Sequence, residues 1–242
     1  MMQLPTLALF DLDHTLLSGD SDVLWCEFLV RHGQLPRSHL ERNAAMDAGY
    51  RAGTVSVAEF CNFYVSQLAG RSPAEWAPWL RRFLQGEVWP RIPPDALALV
   101  ESHRAQGHSL VLTTATNRVI TQLTAEALSI PHLIATEAAL VDGRYSGDVA
   151  GQPNMREGKV ARLQAWLAER GLDGAARTAA LGTAWFYSDS INDLPLLCAV
   201  GHPVVVDPDP RLLAHATAKG WSLRQLDRGL PNTQPNTQPC SP

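Results

Sequence analysis

The sequence has few cysteines, no long uncharged hydrophobic run and no excess of basic residues. Its four cysteines are far apart and form no CxxC pair: Cys26, Cys61, Cys198 and Cys240. This spacing disfavours a zinc site or a disulfide framework and predicts a cytoplasmic protein. No stretch has the uncharged length needed to span a bilayer, and no basic residue precedes the apolar start, as a signal peptide would require. A net charge of -4 argues against nucleic acid as a partner.

Short apolar segments alternate with helical patterns along most of the 242 residues. Each of the four predicted strands ends in a polar turn: 6–10, 109–113, 184–188 and 203–206. Amphipathic helices are predicted at 95–105, 118–128 and 159–167, and an Asp-Gly turn within 134–149 predicts a hairpin. Alternating strands and helices indicate an α/β fold, a doubly wound, mostly parallel, Rossmann-like sheet.

Residues 18–90 contain no convincing strand. Helices are predicted near 22–32, 36–50, 57–69 and 73–85, and Ser72 before Pro73 is typical of a capped helix start. We interpret the many aromatic residues of this stretch as the core of a small helical insert, since a small unit needs large side chains. The predicted organisation is a catalytic core of residues 1–17 and 91–230, an all-helical cap of residues 18–90, and a disordered tail of residues 231–242.

Asp11 and Asp13 stand two residues apart just past the first predicted strand. The carboxyl ends of parallel strands are where ligands bind in such sheets. If the extended backbone continues through Asp13, both carboxylates project to one side. A pair of neighbouring carboxylates usually has a cation, and magnesium is the natural one when phosphate is also present. The alternative is an ordinary turn with two surface aspartates.

A second polar segment, Thr113 to Asn117, lies between a predicted strand and a predicted helix. A hydroxyl together with backbone N–H groups at a helix start makes a phosphate-binding cradle. The alternative is that Thr116 or Asn117 simply caps the helix.

Lys159 is one of only two lysines among 20 basic residues, and it stands at a predicted helix start. Most lysines are solvated surface charges. A lysine retained in an arginine-rich chain favours a specific role, namely neutralising a phosphate oxygen and the Asp11 carboxylate.

Another strand end carries Asp189, Asn192 and Asp193. Asp189 is a candidate to complete the magnesium site, and Asp193 to orient Lys159 or a metal-bound water. The alternative for Asp193 is an acid that stabilises a helix N-terminus.

In this order the segments resemble the motifs of the haloacid dehalogenase superfamily, in its phosphatase branch. Phe10-Asp11-Leu12-Asp13-His14-Thr15-Leu16 and the segment from Asp189 to Asp193 carry the most specific likeness. The helical insert is similar to the cap of the phosphoserine-phosphatase-like subgroup. The resemblance favours Thr114 over Thr113 as the second-motif hydroxyl.

The resemblance implies that Asp11 is the nucleophile and Asp13 the general acid and base, with Thr114 and Lys159 binding the phosphoryl group. It implies a Mg²⁺ cofactor held by the Asp11 carboxylate, the Asp13 carbonyl and Asp189. Residues expected to support the site are Thr15 and Asp193. Residues expected to bind substrate are Asp20, Thr114, Ala115, Thr116, Asn192 and Arg51.

The expected partner is a small phosphorylated metabolite, with no nucleic acid and no membrane. Asp20 lies where phosphoserine phosphatases carry a carboxylate for the substrate amine, which favours an amino-phosphate such as histidinol phosphate or phosphoserine. The alternative is that Asp20 caps the first cap helix. A phosphoserine enzyme also needs a cap cation, for which Arg51 is a candidate, and histidinol phosphate is therefore preferred.

Three other functions compete with phosphate hydrolysis. The first is a phosphotransferase or mutase on the same fold. The second is a non-enzymatic phospho-receiver, although receivers place their aspartate after a later strand and have no large insert. The third is a silent phosphate-binding protein, which the intact set of acids disfavours.

Overall fold

The computed structural model describes residues 6–229, so the tail predicted to be disordered, 231–242, lies outside the described residues. The described chain forms a seven-stranded sheet with the order β4-β3-β2-β1-β5-β6-β7. Neighbouring strands are parallel except for β3 and β4, which are antiparallel. The strands are β1 (Leu7–Phe10), β2 (Ser109–Asn117), β3 (His132–Val141), β4 (Arg144–Ala150), β5 (Trp185–Ser188), β6 (His202–Val206) and β7 (Ser222–Arg224).

Ten α-helices accompany the sheet within residues 6–229. Four of them lie between β1 and β2 in the predicted insert: α1 (Ser21–Arg31), α2 (Ser38–Arg51), α3 (Val57–Ser66) and α4 (Pro73–Phe83). A π-helical turn (Leu84–Val88) and a 3-10 turn (Trp89–Arg91) follow α4. The remaining helices are α5 (Pro94–Ala105), α6 (Arg118–Ala127), α7 (Glu157–Glu169), α8 (Gly174–Gly182), α9 (Leu194–Ala199) and α10 (Pro210–Lys219).

Residues of β1 alternate between two hydrophobic clusters, one on each face of the sheet. Ala8 and Phe10 belong to a cluster that includes residues of α5 and α6, and Leu7 and Leu9 to one that includes residues of α7, α9 and α10. A strand buried on both faces is apolar throughout, which is why β1 is recognisable in the sequence. The predicted doubly wound, mostly parallel fold is confirmed.

The insert between β1 and α5 is helical throughout, as predicted. Ser72 caps α4, with Pro73 in the first turn and Glu75 completing a capping box. The chain enters and leaves this region at one place, because the backbone N–H of Ser18 donates to the carbonyl oxygen of Arg91 at 2.8 Å. The division into domains at residues 17 and 90 stays a prediction.

Aromatic side chains of the insert are packed in a core. Trp25 is 1% exposed, and its ring lies 5.7 Å from the ring of Phe28 and 5.0 Å from that of Phe83. The same cluster continues into Phe10 and Ile120 of the sheet layers. The insert is therefore joined to one face of the sheet by continuous apolar packing, and these rings are not arranged as an open ligand cage.

The predicted hairpin is present, and its first strand also belongs to the main sheet. Asp142 and Gly143 both have positive φ, 50° and 75°, as a two-residue hairpin turn requires. β3 pairs with β2 on its other side, which leaves β4 at the edge of the sheet. Tyr145 of β4 exchanges backbone hydrogen bonds of 2.9 Å with Gly70 and Arg71, so this edge is tied to the insert.

Several C-terminal elements were not predicted from the sequence. The three residues of β7 are all exposed, so they lack the alternation of buried and exposed side chains that identifies a strand. α8 is rich in alanine and glycine and buries only Leu181. Among residues 6–229, no helix is long and apolar enough to cross a membrane.

His103 of α5 makes stability depend on pH. It is 4% exposed, and its Nε2 lies 2.7 Å from the Tyr187 hydroxyl. Burial, assisted by the charges of His108 and Arg224, lowers the pKa of His103 to about 4. The unfolded chain binds the proton near pH 6.5, so this contribution to stability is complete above pH 6.5 and is lost as pH falls towards 4.

We expect His103→Gln to weaken the pH dependence of the unfolding free energy. The wild type should lose about 1–2 kcal/mol more than the variant between pH 7 and pH 4.5, less than the full shift because local opening can return the protonated ring to water. Urea unfolding of both proteins at the two pH values measures the difference. Equal pH dependence in the two proteins would contradict this account of His103.

Candidate active site

Asp11 directly follows β1 and lies at the carboxyl end of the parallel strands. The backbone N–H of Asp11 donates to the carbonyl oxygen of Tyr187 in β5 at 2.9 Å. β1 lies between β2 and β5, where the strand order reverses, and doubly wound sheets bind ligands at this point. Burial raises the pKa of Asp11 well above its usual value, and only the charge of Lys159 opposes this effect.

Lys159 supplies the positive charge next to Asp11. Its Nζ lies 2.9 Å from Asp11 Oδ1 and 2.7 Å from Asp193 Oδ2, and its side chain is 2% exposed. Burial by itself lowers the pKa of Lys159, but the two carboxylates outweigh burial and raise that pKa above its usual value. Lys159 is therefore charged at neutral pH, and Asp193 takes the first of the two positions predicted for it, beside the lysine.

The start of α7 is shaped to bring Lys159 into the sheet. Gly158 approaches so closely that a Cβ there would overlap the carbonyl oxygen of Pro153. Arg156, just before the helix, has a φ of 53°, a conformation that residues other than glycine seldom adopt. This tight turn before α7 directs Lys159, the third residue of the helix, towards Asp11.

The chain turns directly after Asp11, so the extended backbone does not continue through Asp13 as the sequence argument required. The backbone N–H groups of Thr15 and Leu17 both donate to the carbonyl oxygen of Leu12, at 3.2 and 2.8 Å. The charge of Asp13 still acts on Asp11. The turn, and not strand alternation, brings the two acids together.

Hydrogen bonds hold the Asp13 carboxylate on both oxygens. Oδ1 accepts from the backbone N–H of Ser21 at 2.7 Å, at the start of α1. Oδ2 accepts from the hydroxyls of Thr116 at 2.8 Å and Thr114 at 3.3 Å. Asp13 thus lies at the junction of β1, β2 and the insert.

The direction of neighbouring side chains on β2 distinguishes the two candidate threonines. The Thr114 hydroxyl faces Asp13, whereas the Thr113 hydroxyl accepts from Nδ2 of Asn154 at 3.0 Å. Asn154 Nδ2 also donates to the carbonyl oxygens of Thr114 and Ile134 at 2.9 Å. Thr114 therefore belongs to the site, and Thr113 to the buried support behind it.

β2 runs four residues past its predicted end, to Asn117, with an irregular register after Thr114. Asn117 caps α6, since its Oδ1 accepts from the backbone N–H of Ile120 at 3.3 Å. Thr116 points to Asp13 instead. Of the two residues considered as caps of this helix, Asn117 is the cap and Thr116 is not. Ala115, between Thr114 and Thr116, packs against the insert.

Thr15 joins the first and last motifs. It is fully buried, and its hydroxyl donates to Asp189 Oδ1 at 2.9 Å and accepts from the Asp189 backbone N–H at 3.0 Å. Burial raises the pKa of Asp189 to about 7, against the lowering effect of the Thr15 hydrogen bond. Thr15 thereby fixes the position of the fourth-motif carboxylate relative to β1.

The site has more negative than positive charge, because the carboxylates of Asp11, Asp13, Asp189 and Asp193 surround one ammonium, Lys159. Within residues 6–229, no group of three or more His, Cys, Asp or Glu side chains forms a metal cage. The predicted ligand set does not need one, since it combines the carboxylates of Asp11 and Asp189 with the Asp13 carbonyl. Magnesium is commonly held by one or two carboxylates together with phosphate and water, so the charge and the donors fit it.

Asn192 connects the core to the insert. Its Oδ1 accepts from the Tyr50 hydroxyl and from Arg156 Nε, both at 3.3 Å. The Arg156 guanidinium lies 5.0 Å from the centre of the Tyr50 ring. The sequence predicted Asn192 but offered no reason to select Tyr50, and Arg156 was visible only as a neighbour of Lys159.

The other predicted cap residues differ in their placement. Asp20 caps α1, accepting from the backbone N–H of Val23 at 3.0 Å, and burial together with Asp13 raises the pKa of Asp20 to about 7. The Arg51 side chain is 76% exposed and is paired with Asp47 on its own helix. The structure thus places Asp20 beside the acids of the site, while Arg51 has no contact with them among the described residues.

Two further residues support the site, one near it in sequence and one far from it. The Ser188 hydroxyl donates to Asp193 Oδ2 at 2.7 Å. Arg228 donates to the carbonyl oxygens of His14 at 2.6 Å and Thr15 at 3.3 Å, which holds the turn after Asp11. Ser188 was recognisable at its strand end, but Arg228 follows His14 by 214 residues and has no local signal.

Comparison with known proteins relates the chain to phosphatases. The model of the haloacid dehalogenase-like hydrolases matches residues 8–197. Over 219 residues the chain is 37% identical to the histidinol-phosphatase of Neisseria meningitidis serogroup C (strain 8013), which covers 90% of this chain and 97% of that protein. A phosphoserine phosphatase of Mycobacterium tuberculosis is 29% identical over 229 residues, 93% of this chain and 72% of that protein.

Solved structures agree with these relationships. A protein of unknown function from Bordetella pertussis Tohama I superimposes with a TM-score of 0.85 at 40% identity, covering 93% of this chain and 100% of that one. A substrate-bound phosphoserine phosphatase gives a TM-score of 0.63 at 16% identity, over 87% of this chain and 90% of that one. The second likeness concerns the fold alone.

We expect Lys159→Met to destabilise the protein by about 3–5 kcal/mol at pH 7, because it leaves Asp11 and Asp193 buried without their cation. Adding Asp193→Asn should restore part of that loss, since one uncompensated charge is removed and Ser188 can still donate to the amide oxygen. Urea unfolding in the presence of a metal chelator measures both variants. A single variant as stable as the wild type would show that the ion pairs do not support the fold.

Proposed function

Since the chain belongs to the haloacid dehalogenase-like hydrolases, we propose that it hydrolyses a small phosphate ester by way of a phosphorylated Asp11. It is a phosphatase, as the sequence predicted. The observation that carries the proposed mechanism is the 2.9 Å contact between Lys159 Nζ and Asp11 Oδ1 in a buried pocket shared with Asp13. This contact places a positive charge against the Asp11 carboxylate and opposes the effect of burial on its pKa.

The proposed reaction has two steps, and Asp13 serves both. In the first, an Asp11 carboxylate oxygen attacks phosphorus, the ester P–O bond breaks, and Asp13 gives its proton to the leaving alcohol oxygen. In the second, water attacks the phosphorylated Asp11 and gives a proton to Asp13, and phosphate leaves as the acyl phosphate P–O bond breaks. The two hydrogen-bonded oxygens of Asp13 hold the carboxyl group in one orientation for both transfers.

Phosphoryl binding is assigned to Lys159 and Thr114. Lys159 has a third N–H beyond those directed at Asp11 and Asp193, and the Thr114 hydroxyl lies 3.3 Å from Asp13 Oδ2. A Mg²⁺ ion held by Asp11, Asp189 and the Asp13 carbonyl would neutralise charge on the phosphoryl oxygens. Asp193 and Thr15 position these groups and do not themselves touch the substrate.

We propose an aminated phosphate ester as the substrate, with histidinol phosphate preferred and phosphoserine as the alternative. The preference is supported by the 37% identity to a histidinol-phosphatase and by the position of Asp20 beside Asp13. Phosphoserine also has a carboxylate, for which the enzyme needs a cation. Arg51 is exposed and paired with Asp47, so it offers little support for that alternative.

The two threonines of β2 provide a matched test of the phosphoryl site. We expect Thr114→Val to lower kcat/KM by about 10²–10³-fold, as removal of one hydrogen-bond donor to a developing oxyanion does. Thr113→Val removes the same group one residue earlier and should change kcat/KM by no more than about threefold, since Asn154 Nδ2 retains two carbonyl acceptors. Steady-state hydrolysis of p-nitrophenyl phosphate compares them. The reverse order would assign the role to Thr113.

The mechanism and the substrate are tested together by a phosphate-release screen. We expect turnover in Mg²⁺ with water as the sole acceptor, and its loss on chelation or in Asp11→Asn, which lacks the nucleophile. Histidinol phosphate should be turned over in preference to phosphoserine and p-nitrophenyl phosphate. Turnover that survives Asp11→Asn or chelation would contradict the mechanism, and a requirement for an acceptor other than water would identify a phosphotransferase or mutase.

A further inference from the structure

We propose that Asp22 receives a second nitrogen-bearing group of the substrate, such as an imidazole ring, beyond the amine assigned to Asp20. The inference deepens the proposed function and rests on it. Asp22 lies in the first turn of α1, two residues after Asp20, and has no place in the reaction described above.

Asp22 has an oxygen without a partner inside the protein. The residue is 8% exposed, and its Oδ1 is buried with no hydrogen-bond partner among the described residues. An unpaired carboxylate oxygen in such a place is costly unless a donor reaches it. Neither Lys nor Arg lies within ion-pair distance of Asp22 in the part of the chain that the structure describes. A donor from a bound ligand would pair this oxygen.

The other oxygen of Asp22 shares its hydrogen-bond donor, the Thr116 hydroxyl, with Asp13. The Thr116 hydroxyl lies 3.2 Å from Asp22 Oδ2 and 2.8 Å from Asp13 Oδ2, and Ser21 Oγ donates to its oxygen at 3.2 Å. A hydroxyl has one proton, so Thr116 can satisfy only one of the two acids at a time. A donor from the substrate would relieve this competition and leave the Thr116 proton to Asp13.

Asp22 lies next to Asp13 at the start of the insert. Burial raises the pKa of Asp22 well above its usual value, and the charges of Asp20 and then Asp13 raise it further. One hydroxyl, that of Thr116, separates Asp22 from Asp13. The inferred binding mode places the phosphorus of a small ester at Asp11 and the far end of the ester at Asp22.

The surroundings of Asp22 suit a flat, weakly basic group. Burial raises the pKa of both Cys61 and Tyr64 of α3, and the charge of Asp22 raises each further, so a thiol and an aromatic ring lie in its surroundings. Asp13 and Asp20 remain partly exposed beside it, so the acids border accessible space. Two acids close together repel a substrate carboxylate but accept a substrate with two nitrogen donors. An ester with an amine and an imidazole meets that description, and phosphoserine does not.

The test compares esters that differ in one group. Histidinol phosphate has both nitrogen groups, alaninol phosphate keeps the amine but lacks the ring, and p-nitrophenyl phosphate lacks both. The wild type should favour histidinol phosphate over alaninol phosphate in kcat/KM, and Asp22→Asn should reduce that preference by about 10- to 100-fold, mainly through KM. Hydrolysis of p-nitrophenyl phosphate measures the effect of the variant on Asp13 through Thr116, and the loss in kcat/KM for histidinol phosphate should exceed the loss for p-nitrophenyl phosphate by about 10- to 100-fold.

Glu41→Gln is the matched control, because it removes one negative charge from an exposed position of α2 in the same insert. It should keep the wild-type preference. Calorimetric titration with histidinol, the product without phosphate, gives a readout independent of catalysis, and its Kd should rise about 10- to 100-fold in Asp22→Asn only. In the wild type, the Asp22 carboxyl carbon should shift in the NMR spectrum when histidinol is added, which tests the contact without any variant.

The outcomes separate this inference from the proposed function. If the wild type does not favour histidinol phosphate over alaninol phosphate, the proposed substrate is wrong and the role of Asp22 fails with it. If the wild type does favour it and Asp22→Asn keeps the preference, the proposed substrate stands and the role of Asp22 is overturned. An Asp22 carbon signal that does not respond to histidinol would overturn the role as well.

Discussion

The buried ammonium of Lys159, held between Asp11 and Asp193, is the interaction on which the site depends. It joins α7 to the ends of β1 and β5, two strands that are adjacent only because the sheet reverses its order there. A buried ion pair contributes little net stability by itself, because both charges lose their hydration. Its value lies in specificity, since any other arrangement of these elements would bury an uncompensated charge.

The remaining acids favour the binding of cations from outside the chain. One ammonium cannot neutralise four carboxylates, and burial makes the surplus more costly. The proposed function would bring a divalent cation and a substrate amine to these acids, and both would neutralise part of the excess negative charge. The fold thus maintains an excess of negative charge that binding relieves.

The insert contributes residues to the site, and its hydrophobic core is continuous with that of the sheet domain. Its aromatic core continues into the sheet through Phe10 and Ile120, and its first helix donates the Ser21 N–H to Asp13. Tyr50 reaches across to Asn192 from another helix of the insert. The insert is therefore coupled to Asp13 and Asn192 of the site by direct hydrogen bonds.

Much of the fold, and the centre of the site, could be predicted from the sequence. Strands buried on both faces are apolar runs, and the polar residues that follow them share one edge of a parallel sheet, so Asp11, Thr114 and Asp189 were recognisable by local pattern. Only the tertiary structure decided how those groups are partnered. The contact of Lys159 with Asp11 and that of Arg228 with the turn after Asp11 join segments that are distant in sequence. Local sequence sets where an element ends, whereas side-chain direction and charge compensation are properties of the whole packed chain.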